Sequence, residues 1–199
     1  MFAHIARIAG VKKPAILLLE NVTGLLTHDG GRTFAVILNT LAKLGYAVEW
    51  EVCNSKSFGV PQNRPRVYLV GHLGGEAQFA PVFPLRTTTT GRFRTLFRPP
   101  FKYKRPSTVY SASGIAPCLT ARDAQNIIIG EHRRKLSPVE CERLQGFPDG
   151  WTDAVSDRQR YQLSGNSVTV PVVEAIVSRL GNQQKSPRRE VAPRASGRE

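Results

Sequence analysis

Two polar residues follow an unbroken apolar run near the start of the sequence. The run covers residues 15–19, AILLL, and Glu20 and Asn21 come directly after it. Such a run is typical of a strand that is covered on both faces in a parallel sheet. Ligands of open α/β sheets bind beyond the carboxyl ends of the strands. The sequence therefore predicts an α/β fold with a carboxylate at its ligand-binding edge, although a capping or ion-paired glutamate is the alternative.

The following residues extend this strand into a β–α–β unit. Residues 31–44 place apolar side chains at helical spacing, and Gly45 ends the pattern. VEWEV at 48–52 and RVYLVG at 66–71 are predicted strands. This order of elements is that of an α/β domain, but a nucleotide-binding sheet usually has more strands and a glycine-rich first turn.

The composition changes after this unit. Residues 75–132 are rich in Gly, Pro, Thr and Arg, and they contain two short predicted strands, STVYSA and NIIIG. A helix is predicted to begin after Ser137, where Ser-Pro-Val-Glu forms a capping box, and another covers about 170–180. The predicted divisions are residues 1–74, 75–132 and 133–181, followed by a disordered basic tail at 182–199.

The net charge of +13 is the strongest bulk property of the sequence. Such basic proteins usually bind a polyanion, most often nucleic acid, although a basic surface that only confers solubility is the alternative. Residues 86–105 carry seven Lys or Arg side chains and no acidic one, with aromatic residues between them. Cations contact phosphates and aromatic rings stack on bases, so this segment is a predicted nucleic-acid surface.

The remaining bulk features exclude several classes of protein. Three scattered cysteines fit a cytoplasmic protein better than a disulfide scaffold, and they form no metal-binding pattern. No apolar run has a membrane-spanning length, and the N-terminus predicts no signal peptide.

Two further motifs carry candidate ligand contacts. Gln62, Arg64 and Arg66 alternate just before a predicted strand, so their side chains are expected on one face. Arginine forks bind phosphate and carbonyl oxygens, but a solvated strand start is the alternative. SGNS, at 164–167, precedes the last predicted helix, where free N–H groups and an amide side chain bind polar groups or merely cap the helix.

Taken together, these motifs resemble the DNA (cytosine-5-)-methyltransferases. The matching blocks are LLLENVTGLL, FGVPQNRPRVYLVG, a variable basic region, RKLSPVECERLQGFPDGW and YQLSGNSVTVPV, in the family's order. The resemblance implies a partial Rossmann-like S-adenosylmethionine-dependent methyltransferase domain with a small, mostly β or irregular target-recognition domain at 75–132.

The resemblance also implies a reaction and the residues for it. In this family a cysteine thiolate adds to a flipped-out cytosine, and S-adenosylmethionine supplies the methyl group. Glu20 is implied to hold the ring nitrogen and assist its protonation, while Arg64 and Arg66 orient the base, with Arg66 on its carbonyl. Asn166 and Ser167 are the implied cofactor contacts. The implied contacts with the target base or double-stranded DNA are Asn21, Gln62, Arg92, Arg94, Arg98 and Thr120.

The sequence departs from the family at its most reactive position. In the family, the glycine-rich cofactor loop and the Pro-Cys block both precede the block that contains Glu20. Neither is found there in this sequence, and Cys53, Cys118 and Cys141 lie in other blocks. This predicts a truncated or split C-terminal portion, inactive alone, that needs an N-terminal fragment. The alternative is a non-catalytic, sequence-specific DNA-binding subunit. The family's transfer-RNA-methylating branch is disfavoured because its recognition region is more compact and less basic.

Overall fold

A computed structural model describes residues 1–74, 80–87, 109–111, 115–120, 126–129 and 132–185. The helices are α1 (Phe2–Lys12), α2 (Arg32–Lys43), α3 (Pro138–Gln145), α4 (Asp157–Asn166) and α5 (Val170–Lys185). The strands are β1 (Ile16–Val22), β2 (Tyr46–Asn54), β3 (Gln62–Asn63), β4 (Pro65–Leu73), β5 (Val109–Ser111), β6 (Ala116–Pro117), β7 (Asn126–Ile129) and β8 (His132–Lys135). Within these residues, no helix combines the length and hydropathy needed to cross a membrane.

The main sheet has three strands in the order β1-β4-β2. The central strand, β4, is antiparallel to both neighbours, so β1 and β2 are parallel to each other without touching. The predicted β–α–β unit is therefore present, but the expected parallel pairing is wrong. A short connection after β2 returns the chain as the antiparallel β4, which occupies the place between the two parallel strands.

Burial follows this strand order rather than the apolar content of each strand. Residues 67–72 of β4 are all buried, whereas residues 16–20 of β1 are only half-buried. The prediction that the AILLL run is covered on both faces is therefore wrong within the described residues. As an outer strand of this sheet, β1 has less of its surface covered than the strand between β1 and β2.

Two apolar clusters cover the two faces of β4. On one face, Val67 and Leu69 pack with Phe34 and Leu41 of α2 and with Ala9 of α1. On the opposite face, Tyr68 and Val70 pack with Val172 and Ile176 of α5. The alternation of side chains along β4 thus joins the helices from both ends of the described chain to one sheet.

The predicted capping box is confirmed at the start of α3. The Ser137 hydroxyl accepts a hydrogen bond from the Glu140 amide (3.3 Å), and the Glu140 carboxylate accepts one from the Ser137 amide (2.7 Å). The neighbouring Arg134 guanidinium also bonds to the Glu140 carboxylate, and these contacts lower the pKa of Glu140 to about 2.

The C-terminal region contains two departures from the predicted pattern. Helix α4 was not anticipated, and it includes Ser164, Gly165 and Asn166 of the SGNS motif, so this motif ends one helix before another begins. Helix α5 continues to Lys185, so the prediction that residues 182–185 belong to a disordered tail is wrong. Residues 186–199 lie outside the described residues.

Candidate active site

Glu20 and Arg66 form an ion pair at one end of the main sheet. Glu20 lies opposite Tyr68 on β4, and Arg66 lies opposite Val22, so the two side chains are diagonal neighbours on one face. Arg66 Nε is 2.9 Å from Glu20 Oε1, and the side chains are 14% and 26% exposed. This carboxylate remains accessible to a small polar molecule while its guanidinium partner fixes its position.

The face that carries this pair is the one covered by α5. Tyr68, which is 2% exposed, belongs to the apolar cluster below Glu20. Burial and then the Glu20 charge raise the pKa of the Tyr68 phenol, so the ring stays neutral beneath the ion pair. Asn21 lies opposite Val67 and thus on the other face of the sheet, where its Oδ1 accepts a hydrogen bond from the Val22 amide (2.8 Å).

A thiol lies beside the same guanidinium group. Arg66 Nη2 donates to the Sγ atom of Cys118 at 3.4 Å, and Arg64 Nη1 donates to the same sulfur at 3.3 Å. Cys118 follows β6, which pairs with β3 in parallel. The sequence pattern singles out only Thr120 in this stretch and does not predict the contact between Cys118 and Arg66.

Gln62 is entirely buried, and both the oxygen and the nitrogen of its side-chain amide form hydrogen bonds within the protein. Its Oε1 accepts from the Leu119 amide (3.1 Å), and its Nε2 donates to the Leu144 carbonyl (2.7 Å). The side-chain oxygen of Gln145 is a further acceptor at 3.3 Å. Gln62 therefore contacts a segment before β7 and a helix after β8 at once, and its contact with a target base stays a prediction.

Arg64 is 4% exposed and forms a second buried connection. Its Nη1 donates to the Leu119 carbonyl (3.1 Å), while its Nη2 donates to the carbonyls of Ser167 (2.7 Å) and Gly165 (3.2 Å). Gln62, Arg64 and Arg66 thus all contact residues 118–119, as expected of side chains that share one face. Of the three, Arg66 is the one that also contacts Glu20.

Further buried polar side chains join these residues to α3 and α5. Gln145 donates to the Ser164 carbonyl (2.7 Å) and accepts from the Thr169 hydroxyl (2.8 Å). The Thr169 hydroxyl is also 2.7 Å from that of Ser55, which follows β2. These contacts complete a buried polar network in which a side chain from each of several distant segments bonds to the next.

Asn166 and Ser167 lie where α4 ends. The Asn166 side chain is exposed, whereas Ser167 is half-buried, with its hydroxyl donating to the Ser164 carbonyl (2.9 Å) and its carbonyl accepting from Arg64. Of the two, Asn166 has the side chain that faces solvent. Thr120 is exposed, and Arg92, Arg94 and Arg98 lie outside the described residues.

The other two cysteines are placed differently from Cys118. Cys53 and Cys141 are 4% and 1% exposed. Burial and neighbouring carboxylates raise the pKa of both thiols to about 12. Because the thiolate is the nucleophilic form, neither side chain has the environment of a nucleophile at neutral pH.

The segment that precedes the basic region is also fastened to the main sheet. The Glu49 carboxylate accepts hydrogen bonds from the amides of Val82 and Phe83 (2.9 and 3.1 Å), and Glu51 accepts one from the Leu85 amide (3.1 Å). From α5, Arg179 donates to the Pro84 carbonyl (2.6 Å). Residues 82–85 are therefore held by side chains of β2 and α5.

Comparison with known proteins gives consistent relatives. The family model for C-5 cytosine-specific DNA methylase matches residues 1–110 and 101–182. The type II methyltransferase M.SsoII of Shigella sonnei is 38% identical, over 90% of this chain and 56% of its own length. M.NlaX of Neisseria lactamica is 37% identical, over 90% and 67% respectively. The chain thus spans between about half and two thirds of the length of these relatives.

Solved structures share the fold. The Dnmt2 methyltransferase of S. pombe superposes with a TM-score of 0.66 at 19% identity, covering 87% of this chain and 66% of its own. The Entamoeba histolytica methyltransferase EhMeth gives 0.64 at 21% identity, covering 87% and 64%. The α/β prediction is confirmed at this level.

Proposed function

This chain belongs to the C-5 cytosine-specific DNA methylase family, and from that premise we propose that it supplies the target-base site of a DNA (cytosine-5-)-methyltransferase. The reaction transfers a methyl group from S-adenosylmethionine to cytosine in a specific DNA sequence. The part proposed for this chain is to bind double-stranded DNA and to hold the cytosine, whereas the nucleophilic cysteine comes from residues outside the sequence.

The Glu20–Arg66 pair is the observation that carries this proposal. A carboxylate fixed at 2.9 Å from a guanidinium, and still 26% exposed, is suited to hold a polar ring edge in a defined orientation. The proposed contacts are Glu20 with the ring nitrogen beside the exocyclic amine and Arg66 with the carbonyl oxygen. The Arg66 contact strengthens as the ring gains negative charge, and the Glu20 contact strengthens as the ring nitrogen becomes protonated, because an ionised carboxylate only accepts hydrogen bonds.

The cysteines of this chain support an external nucleophile. Cys53 and Cys141 are buried, and the pKa of each thiol is raised to about 12. Cys118 contacts Arg66 and directly follows Pro117, but it lies in the proposed recognition region, whereas the family's Pro-Cys block precedes the block that contains Glu20. We propose that a polypeptide with the Pro-Cys block and the glycine-rich loop completes the site, and that this chain alone does not methylate DNA.

The cofactor proposal concerns the junction between α4 and α5. The exposed Asn166 amide offers both a donor and an acceptor, which fits the amino-acid part of S-adenosylmethionine. The Ser167 hydroxyl already donates its hydrogen to the Ser164 carbonyl. Ser167 is therefore proposed to lie next to the cofactor without donating that hydrogen to it. When bound, S-adenosylmethionine supplies the methyl group.

The DNA proposal rests on charge. The chain carries a net charge of +13, and residues 86–105 hold seven of its Lys and Arg side chains. Arg92, Arg94, Arg98 and Thr120 are proposed to contact DNA, with residues 75–132 as the recognition domain. Phosphate contacts of this kind weaken steeply as salt concentration rises, and they position the protein before bases are read.

A complementation assay tests the proposal. The chain is mixed with a polypeptide that carries the Pro-Cys block and the glycine-rich loop, and transfer of a radiolabelled methyl group from S-adenosylmethionine to DNA is measured. We expect methylation only in the mixture, and bisulfite sequencing then gives the methylated site. A stable, folded complex that binds DNA without methylating it would contradict the enzyme proposal and favour the non-catalytic DNA-binding alternative.

A further inference from the structure

The buried amide of Gln62 connects two segments that the proposed function assigns to different ligands. Residues 116–120, here called the exit segment, belong to the proposed recognition domain. Residues 164–169, here called the α4–α5 loop although they include the last three residues of α4, carry the proposed cofactor contacts. Gln62 bonds directly to the exit segment through the Leu119 amide, and it reaches the α4–α5 loop through Gln145, which donates to the Ser164 carbonyl.

Arg64 makes the same connection without an intermediate. One nitrogen of its guanidinium bonds to the Leu119 carbonyl in the exit segment, and the other bonds to the Gly165 and Ser167 carbonyls in the α4–α5 loop. Because the guanidinium group is planar and rigid, its two nitrogens cannot move independently. A displacement of either segment therefore strains the contacts of the other.

We propose that Gln62 and Arg64 are positioning residues that couple the exit segment to the α4–α5 loop. DNA binding that orders the exit segment then also orders the loop, so DNA and S-adenosylmethionine each increase the affinity of the other. This last consequence rests on the proposed function, whereas the coupling between the two segments does not.

The physical basis is the burial of the hydrogen bonds that join the two segments. Both segments present backbone carbonyls or amides to side chains that are 0% and 4% exposed, so water does not replace a lost contact. A buried polar group left without a partner is destabilising, and a network shares that loss among its members. Removing one member should therefore loosen both segments together.

Hydrogen exchange on the full chain tests the coupling without any ligand. Gln62→Met keeps the side-chain volume but removes the donor and the acceptor; the exposed Gln162 on α4 provides the matched control Gln162→Met. We expect exchange about tenfold faster or more at the Leu119 amide and also in the α4–α5 loop, with no change in the control. Faster exchange confined to the exit segment would overturn the coupling.

Gln62→Glu separates hydrogen bonding from packing. A protonated carboxyl group has one donor and an acceptor, one donor fewer than the amide, whereas the ionised form only accepts, and burial raises the pKa of such a carboxyl. Relative to wild type at each pH, protection of both segments should be partly restored at pH 5 and lost as the pH rises through that pKa. Absence of protection at pH 5, in a chain with native circular dichroism, would overturn the role of Gln62.

A ligand measurement distinguishes failure of the coupling from failure of the proposed function. The affinity for a fluorescent DNA duplex is measured with and without S-adenosylhomocysteine, for wild type and for Arg64→Lys, in the complemented complex. We expect S-adenosylhomocysteine to tighten DNA binding at least about fivefold in wild type and less in the variant. If wild type binds no DNA, the proposed function fails, and the exchange data still decide whether the segments are coupled.

Discussion

Arg64 and Arg66 are two residues apart and lie in environments of opposite kind. The Arg64 guanidinium is 4% exposed and bonds to three backbone carbonyls and a thiol, so its place is fixed by neutral groups from distant segments. The Arg66 guanidinium faces a half-open carboxylate. Arg64 joins separate segments of the protein, whereas the Glu20 carboxylate beside Arg66 is still 26% exposed and can bind a ligand.

This difference shows that a shared motif does not imply a shared role. Period-two spacing directs Gln62, Arg64 and Arg66 to the same side, but the depth of each side chain depends on what lies opposite it. Arg64 meets the end of α4, whereas Arg66 meets the edge of the sheet at Glu20. Substitutions at the Glu20–Arg66 pair should therefore affect mainly the methylation rate, whereas substitutions of Arg64 should affect mainly the free energy of unfolding. The following predictions test this difference.

The largest expected effect concerns the partly exposed ion pair between Glu20 and Arg66. In the complemented enzyme, Glu20→Gln should lower the methylation rate by about 10²–10³-fold, because it removes a charged contact that strengthens in the transition state. DNA affinity, measured by fluorescence anisotropy, should change less than about threefold. Glu174→Gln, at an exposed position on α5, is the control. An equal loss of DNA binding and methylation would contradict the role of Glu20.

The next largest expected effect concerns the buried hydrogen bonds of Arg64. Arg64→Ala should lower the free energy of unfolding by about 3 kcal/mol, because it leaves buried carbonyls without donors. Arg66→Ala should lower it by less than about 1 kcal/mol, as expected of a partly exposed ion pair. Urea denaturation followed by circular dichroism measures both, with the exposed Arg158→Ala as control. Similar losses for Arg64 and Arg66 would remove the distinction between them.

A third test uses the thiol that lies between the two arginines. Cys118 is half-buried, whereas burial raises the pKa of Cys53 and Cys141 to about 12. Iodoacetamide should therefore label Cys118 about tenfold faster or more than the other two, as measured by mass spectrometry of the native chain. Cys118→Ser should remove the fast phase. Rapid labelling of Cys53 would show that the sheet face beneath Glu20 opens in solution.

The smallest expected effect concerns the ion pair between Arg134 and Glu140 at the surface. The Arg134 guanidinium holds the pKa of Glu140 at about 2, below its ordinary value of 4.5. The pair therefore stabilises α3 at pH values above 4.5 and loses that contribution as the pH falls towards 2. Glu140→Gln should lower the melting temperature by about 1–3 °C at pH 7 and by less at pH 3. A difference that grows towards acid pH would contradict this assignment.

Much of the secondary structure could be predicted because its signals are local. The apolar spacing in α2, the capping box of α3 and the β-branched residues of β4 each indicate an element without knowledge of the rest. Helix α4 has few apolar residues, and its capping box at Ser156 and Gln159 is the local signal that indicates it. The order β1-β4-β2 could not be predicted, because strand patterns do not specify neighbours.

The residues of the candidate site can likewise be divided into those that the sequence predicts and those that it does not. The assignment of Glu20 and Arg66 to the site comes from the resemblance, and the structure adds that the two side chains form an ion pair. Their contact with a target base stays a prediction. The burial of Gln62 and the position of Cys118 could not be predicted, because their partners are more than fifty residues away along the chain. A polar residue becomes a core residue only when distant backbone groups are brought to it, and single-sequence patterns do not contain that information.

The fastening of residues 82–85 has a consequence for how such a protein could change its specificity. The side chains that hold this segment, Glu49, Glu51 and Arg179, belong to β2 and α5, and Gln62 and Arg64 hold the exit segment from outside it. These attachments are made to backbone amides and carbonyls, which every amino acid provides. We therefore infer that residues 86–115 could be exchanged as a cassette, by recombination or by design, and that a new sequence preference could arise without altering the proposed cytosine site.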